Sequence, residues 1–204
     1  MTPTYTPELF AALILFAFAS SITPGPNNAM LMASGANFGL RATLPHMWGV
    51  TTGFIGLIAI CGLGLGGLFA ASPVLHGVLK WGGAAYLLYL AWKIGTAKGI
   101  GKARSGARPM SYLGAVAFQF INPKGWVMAL GTISTYVPPR GLAANLIVAL
   151  LVFLVTNVLT VFVWTAFGLG LRGFLDRPGA LRVFNIVMAL LLVASLYPLF
   201  RELA

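Results

Sequence analysis

From residue 9 to residue 200 the chain is a succession of apolar runs of about 20 residues separated by short polar stretches, and that pattern names its solvent. A run of that length rises ~1.5 Å per helical residue and so crosses a hydrocarbon core ~30 Å thick. The charge content agrees: 8% of residues are charged, where an ordinary soluble domain carries about 25%. The expected fold is an all-α membrane protein with six transmembrane helices. They cover about 9–36, 43–71, 74–95, 111–137, 142–171 and 183–200. These spans consume the sequence, so one transmembrane domain over 1–204 is expected, with no soluble module. Cys61 is the single cysteine, which excludes an internal disulfide. Met1 to Phe10 contains no Lys or Arg, so no secretory signal peptide is expected.

A formal net charge of +10 raises the question of nucleic acid. The basic residues gather instead in loops, where they set topology. The expected partner is therefore the lipid bilayer and not nucleic acid. The segment "KIGTAKGIGKARSGARPM" carries Lys93, Lys98, Lys102, Arg104 and Arg108, and marks the loop at about 96–110 as cytoplasmic. Arg41, Arg172, Arg177 and Arg182 then fall on the same side, and Lys80, Arg140 and Arg201 on the other. With Lys124 set apart, nine basic residues face three, and both termini are expected outside.

The two halves echo each other. "ITPGPNNAML" (22–31) aligns with "INPKGWVMAL" (121–130), "GLRATL" (39–44) with "GLAANL" (141–146), and Lys80 with Arg182. Three spans per half is odd, so the second half must insert upside down relative to the first. The plan expected is two inverted three-helix repeats, about 9–95 and 111–200, with a site at their interface near the midplane.

Spans one and four carry the chemistry. Proline lacks a backbone N–H and clashes with the carbonyl four residues back. Thr23-Pro24 and Asn122-Pro123 both read as a helix N-cap followed by proline in the first turn. Each would end one half-helix and start another close to mid-membrane. Two such N-termini, entering from opposite sides, offer free N–H groups and positive dipole ends that suit a carboxylate. The plain alternative is a pair of proline kinks whose polar neighbours satisfy stray carbonyls. Lys124 follows the second break. A charge at that depth costs ~2.5–3.5 kcal/mol on insertion scales, which makes it a functional candidate; the plain alternative is a lysine that snorkels or pairs structurally. The chain's acids, Glu8, Asp176 and Glu202, all lie outside the spans. A carboxylate relay is therefore absent, and the acid that meets Lys124 is one a substrate brings.

The expected substrate-binding set is Thr23, Pro24, Gly25, Pro26, Asn27, Asn28, Gln119, Asn122, Pro123, Lys124 and Asn157. Lys124 and the helix starts would hold a carboxylate. Asn27, Asn28, Gln119 and exposed carbonyls would hold an ammonium group. His46, at the start of span two, reads as an interfacial histidine, and Trp48, Trp81 and Trp92 as interface anchors. No metal site, cofactor or catalytic residue is implied. A metal exporter would need His, Cys or carboxylate clusters that this sequence lacks. An intramembrane hydrolase would have to pair Ser20, Ser21 or Ser34 with His46, without a glycine-framed nucleophile motif.

In "SITPGPNNAMLMASGANFGLRATLPHMWGVTTGF", "WGGAAYLLYLAWKIGTA" and "FQFINPKGWVMALGTISTYV", the chain resembles the LysE/RhtB family of amino-acid exporters over nearly its full length. The details resemble the cysteine/O-acetylserine exporter branch most. The resemblance implies export of neutral amino acids or derivatives, such as cysteine, O-acetylserine, homoserine or threonine, across the bacterial inner membrane. It also implies a proton-gradient drive. Export of some other solute is the alternative within the transporter class, and a homodimer is among the assemblies to expect.

Overall fold

The computed structural model describes residues 4–64, 73–96, 108–175, 177 and 179–194, with backbone alone at 73–76, 78–80 and 83. The described elements are α-helices: α1 (Pro7–Ile22), α2 (Pro26–Phe38), α3 (Leu40–Gly62), α4 (Pro73–Gly95), α5 (Tyr112–Ile121), α6 (Pro123–Tyr136), α7 (Leu142–Gly170), α8 (Arg172–Leu175) and α9 (Ala180–Ala194). Two runs, Leu40–Gly62 and Leu142–Leu175, are long and apolar enough to cross a membrane, and α1 with α2 make a third if taken as one span bent by 55°. α4 has comparable length, but its lysines, glycines and aromatic residues dilute its hydropathy. α5 and α9 are apolar but shorter. Much of the 43–71 span beyond Gly64, the basic loop from 97 to 107 and the end of span six from 195 lie outside the described residues.

The break in span one is a consequence of two prolines one residue apart. A residue before proline is pushed out of the α region, and here both Thr23 and Gly25 precede one. Thr23 is accordingly extended (φ −57°, ψ 138°) and ends α1. Gly25 is extended too (φ −172°, ψ 178°) and caps α2, which restarts with Pro26 in its first turn. The expected Thr23-Pro24 N-cap is therefore corrected to Gly25-Pro26. The Thr23 hydroxyl turns back to the Ala19 carbonyl within α1, a bond that serine and threonine make readily in helices. The second break is as expected. Asn122 (φ −85°, ψ 108°) ends α5 and caps α6, with Pro123 in the first turn, where a missing N–H costs nothing.

α2 is the centre of the molecule. Every residue from Asn28 to Asn37 is buried, and α2 packs against α3, α7, α8 and α9. Its small side chains permit this. Gly35 lies against the Thr165 carbonyl of α7, and Gly168 of α7 lies against the Met32 carbonyl of α2. The two backbones touch twice, as small residues allow between membrane helices. α3 meets α5 in the same manner, with Gly49 under the Tyr112 carbonyl and Gly53 beside Val116. α1 runs along α7, α6 along α3, and α4 along α9. Between α1, α3, α6 and α7 the core is aromatic: Phe16 stacks on Tyr136 with centroids 4.9 Å apart, and Phe54 meets Phe153 edge-on at 5.6 Å.

Large apolar side chains cover the outside instead. Leu15, Trp48, Trp92, Leu113, Val127, Phe167 and Leu190 are all exposed, on seven different helices, and none of the exposed large apolar residues belongs to α2. An apolar surface of this extent suits lipid. The ends of the bundle are tied together. Asn145 accepts from the Thr4 backbone N–H at 2.8 Å and donates to the Arg140 carbonyl at 2.9 Å, so the N-terminal segment and the α6–α7 turn share one end. Gly39, between α2 and α3, sits beside the Arg172 guanidinium at the opposite end. Gly39 (φ 82°) and Gly141 (φ 77°) open α3 and α7 from the positive-φ region that glycine tolerates. His46 corrects an expectation. It is 1% exposed, inside the bundle rather than at its rim, and neither ring nitrogen has a hydrogen-bond partner.

Candidate functional site

The two helix breaks face one cavity of about 30 Å³. The first break contributes Gly25, Pro26, Asn27 and Asn28, and the second Asn122, Lys124 and Gly125. Ser20 and Ser21 line it from the last turn of α1, and Asn157 from α7. Val50, Phe54, Met128 and Val161 close it with apolar surface. The volume is room for about two waters, so a larger ligand requires the walls to part.

Lys124 joins the breaks. Its Nζ donates to the Thr23 carbonyl at 2.8 Å, across from one half of the chain to the other. Gly25 makes that crossing feasible: a Cβ there would stand 2.9 Å from the Lys124 Cδ and 3.1 Å from its Nζ. The first-turn N–H groups of Asn27 and Asn28, and of Lys124 and Gly125, have no carbonyl four residues back inside their own helices. All four residues line the cavity. One ammonium and two positive helix ends therefore converge on it, and none of the described residues that line it is acidic.

The remaining amides hold the breaks in shape. Asn27 Nδ2 donates to Gln119 Oε1 at 2.8 Å and Gln119 Nε2 returns a bond to Asn27 Oδ1 at 3.2 Å, a closed pair between α2 and α5. Asn28 Nδ2 donates to the Ser21 and Thr23 carbonyls, both at 2.8 Å, and so finishes the frayed end of α1. Trp164 and Trp126 donate to the Ile22 and Phe120 carbonyls at 3.2 Å and 2.8 Å. Asn157 Oδ1 accepts from Thr51 Oγ1 at 3.0 Å.

Of the expected set, Gly25, Pro26, Asn27, Asn28, Asn122, Lys124 and Asn157 line the cavity. Thr23 and Pro24 are exposed and contribute only the Thr23 carbonyl, Pro123 stands behind the wall, and Gln119 is buried against Asn27. Ser21, Phe54, Met128 and Val161 went unnamed as wall residues, because no motif marks them. A three-to-four residue spacing from Val50 to Phe54, and a similar one from Asn157 to Val161, is the signal that shared helix faces leave in sequence. The Ser–His arrangement does not form: Ser34 pairs with Thr43 Oγ1 at 2.9 Å and His46 bonds neither serine nor anything else.

The comparisons with known proteins decide the class. A family model described as LysE type translocator matches residues 18–195. The chain belongs to the LysE family of translocators. Its curated relatives include a cysteine/O-acetylserine efflux protein of Escherichia coli (strain K12), 31% identical over 191 residues that cover 92% of this chain and 95% of that protein. The cysteine/O-acetylserine efflux proteins of Shigella sonnei (strain Ss046) and Shigella flexneri match to the same extent. No solved structure matches the chain. A LysE translocator with efflux proteins as relatives is a multi-pass amino-acid transporter and not an enzyme. The hydrolase alternative falls with that membership.

Proposed function

We propose that this LysE-family chain exports neutral amino acids or close derivatives, of the size of cysteine, O-acetylserine, homoserine or threonine, across the bacterial inner membrane, driven by the proton gradient. The observation that carries the reading is the meeting of Lys124 and two helix starts at one cavity without an acid. That arrangement leaves a carboxylate as the missing partner. The apolar remainder of the wall, Val50, Phe54, Met128 and Val161, suits a short uncharged side chain. The names of the relatives point the same way.

In this reading the chain is a single transmembrane domain of six spans in two inverted repeats. Three features support that plan. Proline in the first turn opens the second half of both broken spans. Gly39 and Gly141, each with positive φ, stand at corresponding places before α3 and α7, although their ψ angles differ (170° and 30°). The packing partners exchange when the halves are swapped: α2 on α7 becomes α6 on α3, α1 on α7 becomes α5 on α3, and α4 on α9 maps onto itself.

The deciding experiment is efflux of a panel of radiolabelled amino acids from proteoliposomes, with and without an imposed pH gradient. Small neutral amino acids should leave faster than basic or acidic ones, and faster still when the gradient is applied. Indifference to the gradient, with full response to membrane potential, would remove the proton from the scheme. Orientation has its own readout. A C-terminal reporter active only in the periplasm should be active, and one active only in the cytoplasm silent, as nine basic residues against three require. The reverse result would overturn the inverted repeat as well.

A further inference from the structure

We propose that Ser21 Oγ and Asn122 Oδ1 form the seat for the substrate's ammonium group. The inference rests on the amino-acid reading of the same cavity and assigns its second pole. Both atoms are buried without a hydrogen-bond partner, on residues 6% and 2% exposed, and both residues line the cavity. A buried acceptor left unpaired costs stability, and native proteins keep few of them. Two on residues that line one cavity, one from each half of the chain, call for a donor that the described residues do not supply.

The other acceptors nearby are engaged. Asn27 and Gln119 satisfy each other, and Asn157 Oδ1 accepts from Thr51. Several carbonyls freed at the two breaks are taken as well: Ser21 and Thr23 by Asn28, Thr23 again by Lys124, Ile22 by Trp164 and Phe120 by Trp126. Asn27 and Gln119 are thus occupied with each other, and the ammonium is assigned instead to Ser21 Oγ and Asn122 Oδ1, the buried acceptors on cavity-lining residues that have no partner among the described residues.

Ser21 has a position of the right sign, and Asn122 stands between one end of each sign, closing α5 and capping α6. Ser21 stands in the last turn of α1, and Asn122 is the residue at which α5 ends. Helix C-termini are negative and favour cations. Each break therefore presents one end of each sign: α2 and α6 begin where a carboxylate is wanted, and α1 and α5 end where an ammonium is wanted. A zwitterion matches both poles, and a carboxylate without an amine matches only one.

The test compares L-cysteine, kept reduced, with 3-mercaptopropionate, which has the same carboxylate and thiol but no amine. Binding of each is measured to purified wild-type, Ser21→Ala and Asn122→Leu protein. Folding is checked by thermal melting, and Ser21→Ala carries the comparison if the larger change at the helix break unfolds the chain. Each variant should weaken L-cysteine binding by about tenfold or more, the worth of a hydrogen bond to a charged group. Binding of 3-mercaptopropionate should stay at the wild-type level. Equal loss of both ligands would mean that the two residues only shape the cavity, and unchanged L-cysteine binding would remove the seat. If the folded wild-type protein binds neither ligand, and binds none of O-acetylserine, homoserine and threonine, the amino-acid reading itself is overturned, and the seat with it.

Discussion

Lys124→Met should fold and insert normally yet lose nearly all export, read as transport per folded molecule in liposomes. The methionine keeps the apolar length of the stem that runs past Gly25 and removes the ammonium that reaches the Thr23 carbonyl. What goes missing in the fold is one hydrogen bond to a carbonyl that Asn28 also serves. A charge that is half-buried and has no carboxylate partner contributes little to stability and costs desolvation. Thermal stability should therefore hold or rise slightly. What goes missing in function is the positive charge at the cavity. Lys124→Arg should restore only part of the transport, because a planar fork does not replace a point charge threaded past a glycine. Export by Lys124→Met at the wild-type rate would reduce Lys124 to a clip between the two breaks.

Gly168→Leu should fail to accumulate as folded protein. A Cβ at Gly168 would overlap the Met32 carbonyl oxygen, and one at Gly35 would overlap the Thr165 carbonyl oxygen. These are backbone atoms in helices and cannot swing aside as a side chain can. The expected cost exceeds the ~1–3 kcal/mol usual for overpacking, and the affected helix, α2, is the one on which the cavity is built. Gly56→Ala is the control: a Cβ there meets nothing within 4 Å, although it lies on a helix of the same bundle. That change should be neutral, or stabilising by up to ~1 kcal/mol through helix propensity. Similar melting temperatures for Gly168→Leu and Gly56→Ala would refute the contact between α2 and α7.

The breaks were legible in the sequence because proline removes a donor and no neighbour can disguise it. Asn122-Pro123 was placed correctly, since a single proline leaves a single register. The first break was placed two residues early. "TPGP" contains two prolines, and the cap preference of threonine pointed to the wrong one. Thr23 instead finishes α1 with its own hydroxyl, while glycine, with no side chain to cap anything, performs the turn. Lys124 stands out as the basic residue near the middle of a span. Its partner does not, because a backbone carbonyl 101 residues away has no letter of its own. Asn27, Asn28 and Gln119 find partners within the protein that the sequence does not announce, for a related reason. Sequence gives an inventory of amides but not which of them face each other. His46 shares a helix face with Gly49 and Gly53, at spacings of three and seven residues, and those glycines lie against α5. That stripe was the available sign that the ring is buried.

The paired glycines of α2 and α7 also limit how the molecule can move. Side chains that meet edge to edge can change rotamer and slide, but a carbonyl resting in the notch of a glycine has one register. α2 and α7 must therefore travel as a single lever. Sliding is left to seams that mesh through side chains, such as the stacked Phe16 and Tyr136 between α1 and α6. Residues 23–25, which belong to neither helix, are the natural pivot between that lever and α1. The cavity lies at this pivot, so a small rotation of the lever changes its width directly, and a substrate held there sits at the fulcrum rather than at the end of the stroke.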